Sequence, residues 1–297
     1  MSDVQHRNHL AISFKHLLVW LILLSFVLPV LGSHAQVTQA AHGKLSRRDS
    51  AHASLYQAAS WDTDFGEPGM NDVVREFMLH STGNLIAGGG FTNAGGTAAN
   101  RIASWDGNAW QAMGSGFNNT VFALAEDWHK NVYAAGNFTL AGGVIATRVA
   151  KWDGNSWSPL GSGIEGDVVR DLAFDHNGNL YAAGRFSAAG GQSVAGIARW
   201  NGNTWSDVGN GVSGYNGIVY ALAVDGANLY AAGSFSTAGL NPASNIAKWN
   251  GSSWIPLGDG FNSGVYALQV VQGELYAAGT FTEADGNPAN YIAKWNG

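Results

Sequence analysis

The sequence predicts an all-β protein, a β-propeller of four-stranded antiparallel blades. The first observation behind this prediction is a short apolar segment, LYAAGRF at residues 180–186, which occurs five times with small changes. The second is its period, because the phenylalanines that end the five copies lie 47, 48, 49 and 46 residues apart. Four short strands in each such period are the pattern of a propeller blade, which buries both faces of its sheet against neighbours. The phenylalanines are Phe91, Phe138, Phe186, Phe235 and Phe281.

The first two strands of each unit are apolar runs. The first strand, as in VYALAV from Val219, has the β-branched and aromatic content that favours strands. Short turns such as DHNGN lead from it into the LYAAG segment, which we interpret as the second strand. Repeated alanine and glycine in the second strand fit a sheet that is crowded on both sides.

The third and fourth strands are marked by tryptophans. One tryptophan follows each phenylalanine after 14 positions, at the end of third-strand segments such as IAKW. In four units a second tryptophan follows five positions later, with Asp-Gly or Asn-Gly between the two. This dipeptide predicts a tight hairpin whose type I′ turn needs positive φ at both central residues. The third-strand tryptophans are Trp105, Trp152, Trp200, Trp249 and Trp295, and the fourth-strand ones are Trp110, Trp157, Trp205 and Trp254.

The number of blades follows from the fourth strands. No fourth-strand tryptophan follows Trp295, but Trp61, in the segment SWDTDFG, lies 13 residues before Val74. If residues 60–66 supply the missing strand, the propeller spans residues 61–297 and closes as five blades. Closure would remove the exposed sheet edges that invite aggregation. The alternative is a fragment of a larger propeller or array.

The first 35 residues predict a signal peptide. Arg7 and Lys15 precede an apolar run at residues 17–31, and small residues just before residue 36 fit a cleavage site. A retained membrane anchor is the alternative, because the run is only slightly shorter than a membrane span. We therefore expect residues 1–35 to be removed from a protein that is secreted, extracellular or displayed on the cell surface, with no membrane insertion after cleavage.

Composition sets further bounds. Residues 36–60 are polar, small and aperiodic, which indicates a flexible spacer. Residues 51–297 carry 10 Lys and Arg against 19 Asp and Glu, a net charge of −9, which disfavours nucleic acids and anionic membranes as partners. The chain contains no cysteine, so disulfides and Cys-based metal sites are impossible. We expect a monomer without a cofactor.

The repeats resemble a known class of blade. LYAAG from Leu180, followed by IARWNGNTW from Ile197, resembles kelch-type blades as found in the central domain of galactose-oxidase-like proteins. The glycine pair Gly88 and Gly89 of the first repeat also matches kelch-type blades. The first repeat, DTDFGEPG followed by NLIAGGGFTNAGG and NRIASWDG, is similar to the bacterial delta-sixty repeat of secreted proteins. The resemblance implies the propeller fold. The lack of cysteine excludes the galactose oxidase activity, because the cofactor of that enzyme needs a cysteine crosslinked to a tyrosine.

Several aromatic and titratable residues could be functional. The repeat-position tryptophans are expected to be core residues, whereas Trp128 is the off-pattern candidate for an exposed contact, although we expect it to fold back on its own blade. His80, His129 and His176 lie in first-to-second-strand turns that are expected to be too far apart for one metal site, so we interpret them as solvated.

Loop lengths give the positional clue to function. The phenylalanine-to-tryptophan interval is constant, whereas the connection from the fourth strand to the next first strand varies. Variation on one face of a repeat protein often marks the binding face, although drift in unimportant loops would give the same pattern. The candidate ligand-binding residues on this face are Asn118, Asn119, Glu165, Asp167, Arg185, Asn210, Tyr215, Asp259, Asn262 and Glu283.

These observations favour a non-catalytic binding or interaction module with a protein or glycan ligand. A carbohydrate-binding lectin propeller is the alternative, and a secreted lyase or hydrolase using carboxylates is a weaker one. The sequence has no calcium loop of the D-x-D-x-D-G type, no H-E-x-x-H, no G-x-S-x-G and no P-loop. No acid, base and nucleophile converge in its pattern.

Overall fold

The computed structural model describes residues 69–297, and this part of the chain is built from strands and turns alone. The predicted signal peptide, the spacer and the strand near Trp61 lie outside the described residues. Residues 69–297 contain no helix with the length and apolar character needed to cross a lipid bilayer. The all-β class predicted from the repeats is therefore confirmed for the described part.

The first four repeats form four-stranded antiparallel sheets in the predicted order, first to fourth strand. Blade 1 consists of β1 (Val74–Leu79), β2 (Leu85–Gly89), β5 (Ile102–Trp105) and β6 (Trp110–Ala112), with β3 (Asn93–Ala94) and β4 (Thr97–Ala98) between β2 and β5. Blade 2 consists of β7 (Val121–Glu126), β8 (Val132–Gly136), β11 (Val149–Trp152) and β12 (Trp157–Pro159), with β9 (Leu140–Ala141) and β10 (Val144–Ile145) between β8 and β11.

Blades 3 to 5 repeat this arrangement, except that blade 5 has three main strands among the described residues. Blade 3 consists of β13 (Ile164–Phe174), β14 (Leu180–Ala189), β15 (Gln192–Ser193), β16 (Ile197–Trp200) and β17 (Trp205–Asp207). Blade 4 consists of β18 (Val212–Ser213), β19 (Ile218–Asp225), β20 (Asn228–Ser234), β21 (Thr237–Ala238), β22 (Asn241–Pro242), β23 (Ile246–Trp249) and β24 (Trp254–Pro256). Blade 5 consists of β25 (Val265–Val271), β26 (Glu274–Gly279), β27 (Glu283–Ala284), β28 (Asn287–Pro288) and β29 (Ile292–Trp295).

A small hairpin in the connection between second and third strands was not predicted. In blade 1 it joins β3 to β4 through Gly95 and Gly96, whose φ values are 54° and 83°. Two positive φ values in a two-residue loop are what a type I′ turn requires, and glycine adopts them without a Cβ penalty. In blade 1 the type I′ turn therefore lies here, in its A-G-G segment.

The hairpin predicted between the two tryptophans is confirmed, but the prediction of a type I′ turn in it is wrong. Trp105 pairs directly with Trp110, so the loop has four residues, and of these Gly107 alone has positive φ. Asp106 instead closes the loop with its side chain, because Oδ1 accepts the backbone N–H groups of Asn108 and Ala109 at 2.9 Å each. These bonds hold the pKa of Asp106 below its ordinary value.

The hydrophobic core lies between consecutive blades. Ile86 and Ile102 of blade 1 pack with Val121 and Val132 of blade 2, and the same arrangement joins blades 2 to 3, 3 to 4 and 4 to 5. The first strands of neighbouring blades contact each other, which places them nearest the common axis. Among the described residues, no core cluster joins blade 5 to blade 1.

The fourth-strand tryptophans are core residues, as predicted. All four are almost fully buried, and Trp157, Trp205 and Trp254 donate their indole N–H to the preceding blade, as Trp205 Nε1 does to the Leu160 carbonyl at 2.9 Å. The third-strand tryptophans are half-buried and cover them, with ring centroids 5.4 Å apart for Trp200 and Trp205. The two tryptophans of a repeat therefore have different roles, the fourth-strand one joining blades and the third-strand one shielding it.

Candidate functional site

A β-bulge occurs at the same position in all five first strands. In blade 2, for example, the register with the second strand shifts between Val121 and Ala123, so Phe122 is the extra residue. A bulge leaves its extra residue unpaired and re-aims the side chain, and bulges are over-represented beside functional sites. The five bulged residues, named here the bulge row, are Arg75, Phe122, Arg170, Tyr220 and Tyr266.

The final glycine of each LYAAG-type segment is a consequence of the bulge. A Cβ built on Gly184 would lie 2.1 Å from the Val168 carbonyl oxygen, which sits just before the bulge on the facing strand. The equivalent glycines of the other four blades meet the same obstacle at 2.0 to 2.2 Å. The invariant final glycine of the LYAAG strand is thus required by close backbone approach, since its φ is not positive.

Members of the bulge row stack on one another across the blades. The guanidinium carbons of Arg75 and Arg170 lie 5.6 Å and 4.5 Å from the centroid of the Phe122 ring. On the other side, the rings of Tyr220 and Tyr266 approach edge to face with centroids 4.9 Å apart. Guanidinium groups within about 6 Å of an aromatic face are attracted by its quadrupole. The row is therefore a pre-arranged surface of planar groups.

A buried carboxylate beside the row, that of Asp171, joins blade 3 to blade 4. Asp171, which follows Arg170 and is buried, accepts the N–H of Leu172 at 2.9 Å and that of Leu222 in blade 4 at 2.7 Å. The Nε of Arg170 is buried and has no hydrogen-bond partner in the described part of the chain. The guanidinium of Arg170 thus keeps unused hydrogen-bonding capacity beside Phe122.

Two predicted ligand-binding asparagines have a structural task. Asn118 Oδ1 accepts the N–H groups of Thr139 and Leu140 at 2.9 Å, and its Nδ2 donates to Thr139 Oγ1 at 2.8 Å. Asn262 makes the same three bonds in blade 5, to Thr282 and Glu283. These amides fasten the interblade connection to the start of the small hairpin, so their ligand-binding role stays a prediction.

The remaining predicted residues are exposed on the same side of the blades. Arg185 forms an ion pair with Asp167, and both lie on the extended strands of blade 3, together with Glu165, rather than on loops. Asn119 accepts the N–H of Thr120, Asn210 donates its N–H to Asp207, and Asp259 donates its N–H to Asp285. Tyr215 is 72% exposed, and the backbone N–H of Glu283 donates to Asn262 Oδ1. The structure brings together the Asp167–Arg185 and Asn262–Glu283 pairs, with Glu165 on the same strand as Asp167. Asn118 and Asn119 are neighbours in one connection, whereas Asn210, Tyr215 and Asp259 make no hydrogen bond or ion pair with another predicted residue in the described part of the chain.

The opposite side carries the first-to-second-strand turns, which reach across to the next blade. His80 Nε2 lies 3.0 Å from the Lys130 carbonyl oxygen, and its side chain is 12% exposed, so the prediction that it is solvated was wrong. His176 Nδ1 lies 2.9 Å from the Gly226 carbonyl oxygen. Both histidines join adjacent turns. Among residues 69–297, no three His, Cys, Asp or Glu side chains gather as metal ligands would.

Trp128 lies against blade 3 rather than its own blade, which corrects the sequence expectation. Its ring covers Gly178, where a Cβ would come within 2.6 Å of Cζ2, yet 66% of Trp128 is exposed. Beside it lies a cavity of about 620 Å³, in the size range of small-ligand pockets, lined by Lys151, Asp175 and Trp200 among others. This cavity lies between blades 2 and 3, on the side that carries the first-to-second-strand turns.

The pKa of Asp127, one of the carboxylates of this cavity, is lower than its ordinary value. Burial raises the pKa of Asp127, but hydrogen bonds from the Asn131 side chain and backbone, the Tyr133 hydroxyl and the His129 N–H outweigh it and lower the pKa overall. The pKa of Tyr133 is raised, chiefly by burial and then by the negative charge of Asp127. Asp127 is therefore held ionised next to the exposed face of Trp128.

The repeated sheets, packed around an axis through their first strands, define a β-propeller domain. The model of the family described as the Rax2 C-terminal beta propeller domain matches residues 109–285. This match spans more than half of the chain, which therefore belongs to that family. A comparison with curated proteins gives no match.

Solved structures resemble the chain at low identity. The extracellular domain of the putative hybrid two component system BT3049 from B. thetaiotaomicron is 9% identical with a TM-score of 0.48, over 75% of this chain and 27% of that one. The WD40 beta propeller domain of Doa1 is 13% identical with a TM-score of 0.41, over 71% and 64%. The computationally designed Ika8 protein is 14% identical with a TM-score of 0.43, over 75% and 71%.

Proposed function

We propose that the protein is a secreted or cell-surface, kelch-like propeller that acts as a non-catalytic binding module, with the bulge row at the centre of its binding end. The bulge row carries this proposal. Five equivalent backbone irregularities present two arginines, one phenylalanine and two tyrosines at one end of the first strands. Aromatic residues and arginine are the types that protein interfaces enrich and that most often supply hot spots.

The physical state of the row favours binding. Arg75, Phe122 and Arg170 hold one another in place, so a ligand does not have to immobilise three free side chains. Arg75 and Tyr266 at the two ends of the row are exposed, which leaves planar surface for a partner. The variable loops that carry Tyr215 and Asn119 would form the rim around this centre.

The secreted or surface location rests on the basic residues and apolar run of the first 35 residues. A non-catalytic role is proposed because guanidinium, phenyl and phenol groups make up the row, and these groups bind by stacking and charge. We include the other predicted ligand-binding residues in the rim of the site because they are exposed on the same side of the blades as the bulge row. We propose a protein ligand first, since interface chemistry of this kind is typical of protein recognition.

The test is selection from a random peptide library together with a glycan array, using the full chain. The double variant Arg75→Ala/Tyr266→Ala removes two exposed members of the row, and Ile145→Ala, on the exposed small hairpin of blade 2, is the matched control. We expect peptides that bind the wild type and the control but bind the double variant at least about tenfold more weakly, a loss of about 1.4 kcal/mol. Equal binding by all three proteins would refute the proposed site.

A saccharide ligand is the second candidate, and the cavity beside Trp128 favours it. An exposed indole face next to the carboxylates of Asp127 and Asp175 offers stacking together with hydrogen-bond acceptors, the mixture that small polar ligands use. Such a lectin would have one asymmetric site rather than five equivalent ones. Glycan binding that Trp128→Ala abolishes and Arg75→Ala/Tyr266→Ala leaves intact would favour this candidate over the bulge row.

A further inference from the structure

The cavity between blades 2 and 3 has a wall of aromatic rings. Tyr133 and Phe174 meet edge to face in it, with ring centroids 5.0 Å apart, and Trp200 lines it from blade 3. Trp128 also lines it, and its indole lies against Gly178 of blade 3, where a Cβ would overlap the ring. An indole that is exposed yet already fixed in place receives a ligand without the entropic cost of ordering a side chain. The cavity therefore offers a prepared surface for stacking.

Two carboxylates of the cavity carry charges that no described cation pairs with. Asp127 accepts hydrogen bonds from amide and backbone N–H groups of its own turn and from the Tyr133 hydroxyl, and Asp175 accepts them from the same kinds of N–H group in its turn. These donors are neutral, so they orient the two carboxylates and leave their negative charges in place. Neither aspartate forms an ion pair with a described residue. The third carboxylate of the lining, Glu126, is directed to Ser81 of blade 1 instead.

The lysine of the cavity faces a ring rather than a carboxylate. Lys151 Nζ lies 5.8 Å from the centroid of the Tyr133 ring, and no described residue forms an ion pair with this lysine. A cation within about 6 Å of an aromatic face is attracted by the quadrupole of the ring. The aromatic wall thus already holds one ammonium group, and the charges of Asp127 and Asp175 together outweigh that of Lys151.

The size and polarity of the cavity indicate what else its ligand carries. The volume of about 620 Å³ exceeds what an ammonium ion alone would fill, and the residues Asn177 and Asn201 line the cavity beside the aromatic rings. Rings for stacking together with amides for hydrogen bonds suit a sugar, whose hydroxyl groups surround an apolar ring face. The negative charges of Asp127 and Asp175 favour a positively charged sugar over a neutral or an acidic one.

We propose that this cavity binds an amino sugar, with the sugar ring stacked on Trp128 and the ammonium group facing Asp127 and Asp175. This ligand class rests on the saccharide candidate for the same cavity, and it does not depend on binding by the bulge row. Lys151 is then a competitor, because its ammonium group repels that of the ligand. A sugar acid, by contrast, would be attracted by Lys151 and repelled by both aspartates.

Two matched trisaccharides test the charge preference. Chitotriose consists of three glucosamine units and is cationic at slightly acidic pH, whereas its fully N-acetylated counterpart has the same backbone and is neutral. In calorimetric titrations of the full chain, we expect chitotriose to bind at least about tenfold more tightly, a difference of about 1.4 kcal/mol. Added salt should reduce this preference, because it screens the charges that face the ligand.

Lys151→Gln gives the most specific readout. Removing the competing cation should strengthen chitotriose binding, by about threefold for two charges about 6 Å apart at the dielectric constant of water. Arg199→Gln is the matched control, because Arg199 pairs with Tyr181 in blade 3 as Lys151 pairs with Tyr133 in blade 2, but does not line the cavity. The control removes the same charge and should leave binding unchanged. Trp128→Ala, which removes the stacking surface, should weaken the binding of both trisaccharides.

The outcomes are distinct. A preference for chitotriose that Lys151→Gln strengthens and Trp128→Ala weakens supports the proposal. Equal binding of the two trisaccharides, or chitotriose binding that Lys151→Gln weakens or leaves unchanged, would overturn the recognition of an ammonium group while leaving a saccharide cavity. No binding of either trisaccharide, or binding that Arg75→Ala/Tyr266→Ala abolishes and Trp128→Ala leaves intact, would overturn the proposal altogether. The peptide selection decides separately whether the bulge row binds.

Discussion

At the residue scale, the two tryptophans of each repeat are not equivalent. The third-strand Trp200 is half-buried, whereas Trp205 is almost fully buried and bonded to the Leu160 carbonyl. Sequence spacing treats both as core positions, because it records periodicity and not depth. Trp205 belongs to the buried core between blades 2 and 3, whereas Trp200 packs against the outside of that core.

Replacing Trp205 by alanine should therefore cost more than replacing Trp200. Trp205→Ala removes a buried indole and leaves the Leu160 carbonyl unpaired, so we expect a loss of about 3 to 5 kcal/mol in the free energy of unfolding. Denaturant titration measures the loss. Trp128→Ala, at a site that is 66% exposed, is the control and should cost far less. Equal losses for Trp205→Ala and Trp128→Ala would contradict the assignment of Trp205 to the core.

Because tyrosines of the second strands have raised pKa values, we predict that the protein loses stability at alkaline pH. The pKa values of Tyr133, Tyr181 and Tyr230 are raised, in each case chiefly by burial. A raised folded-state pKa gives stability that is fully present below the unfolded-state pKa near 10 and is lost as the pH rises through the folded-state value. We expect the free energy of unfolding to fall as the pH rises above about 10, the unfolded-state pKa of tyrosine.

Tyr133→Phe should reduce this dependence. The variant loses the hydroxyl bond to Asp127, which lowers its stability at neutral pH, but it has one fewer group to ionise. Denaturant midpoints at neutral and alkaline pH should therefore differ less for the variant than for the wild type. Parallel pH profiles would show that Tyr133 ionises equally well in the folded and unfolded states.

At the element scale, the first strand and the second strand constrain each other. The bulge at Arg170 brings the Val168 carbonyl close to Gly184, so no side chain fits at the last position of the LYAAG segment. The sequence shows the repeated glycine but not its reason, because a bulge is a property of strand pairing. The same holds for the small hairpins, whose two residues on each side are too short to give a strand pattern.

Gly184→Ala should accordingly destabilise the protein although its φ is not positive. The new Cβ would lie 2.1 Å from a backbone oxygen, and relieving that overlap has to move β13 or β14. Overpacking of this kind costs about 1 to 3 kcal/mol. Thermal or denaturant unfolding measures the loss, with the exposed Ser187→Ala as control. A Gly184→Ala protein as stable as the control would mean that the strands separate freely at the bulge.

At the scale of the whole molecule, side chains as well as apolar cores join the blades. Asp171 reaches from blade 3 to the Leu222 N–H of blade 4, and His80 reaches from blade 1 to blade 2. In repeat folds each unit contacts only its neighbours, so stability is the sum of unit and interface terms. Interface bonds of this kind should make the described blades unfold together.

Asp171→Ala tests this coupling. Loss of the carboxylate leaves the buried N–H groups of Leu172 and Leu222 without that partner, which should cost about 1 to 3 kcal/mol. The expected readout is a lower denaturant midpoint and faster hydrogen exchange in both β13 and β19. Faster exchange confined to β13 would indicate that the bond does not couple the two blades.

The sequence by itself determined the all-β class, the blade order of the strands and the core role of the fourth-strand tryptophans. These features are encoded locally and then repeated, so spacing and residue type suffice to predict them. Only the tertiary structure decided the bulge row, the bonds that occupy Asn118 and Asn262, and the reach of His80 and Trp128 onto neighbouring blades. Each of these depends on strand register or on the distance between blades, and neither quantity is recorded in the order of residues along one repeat.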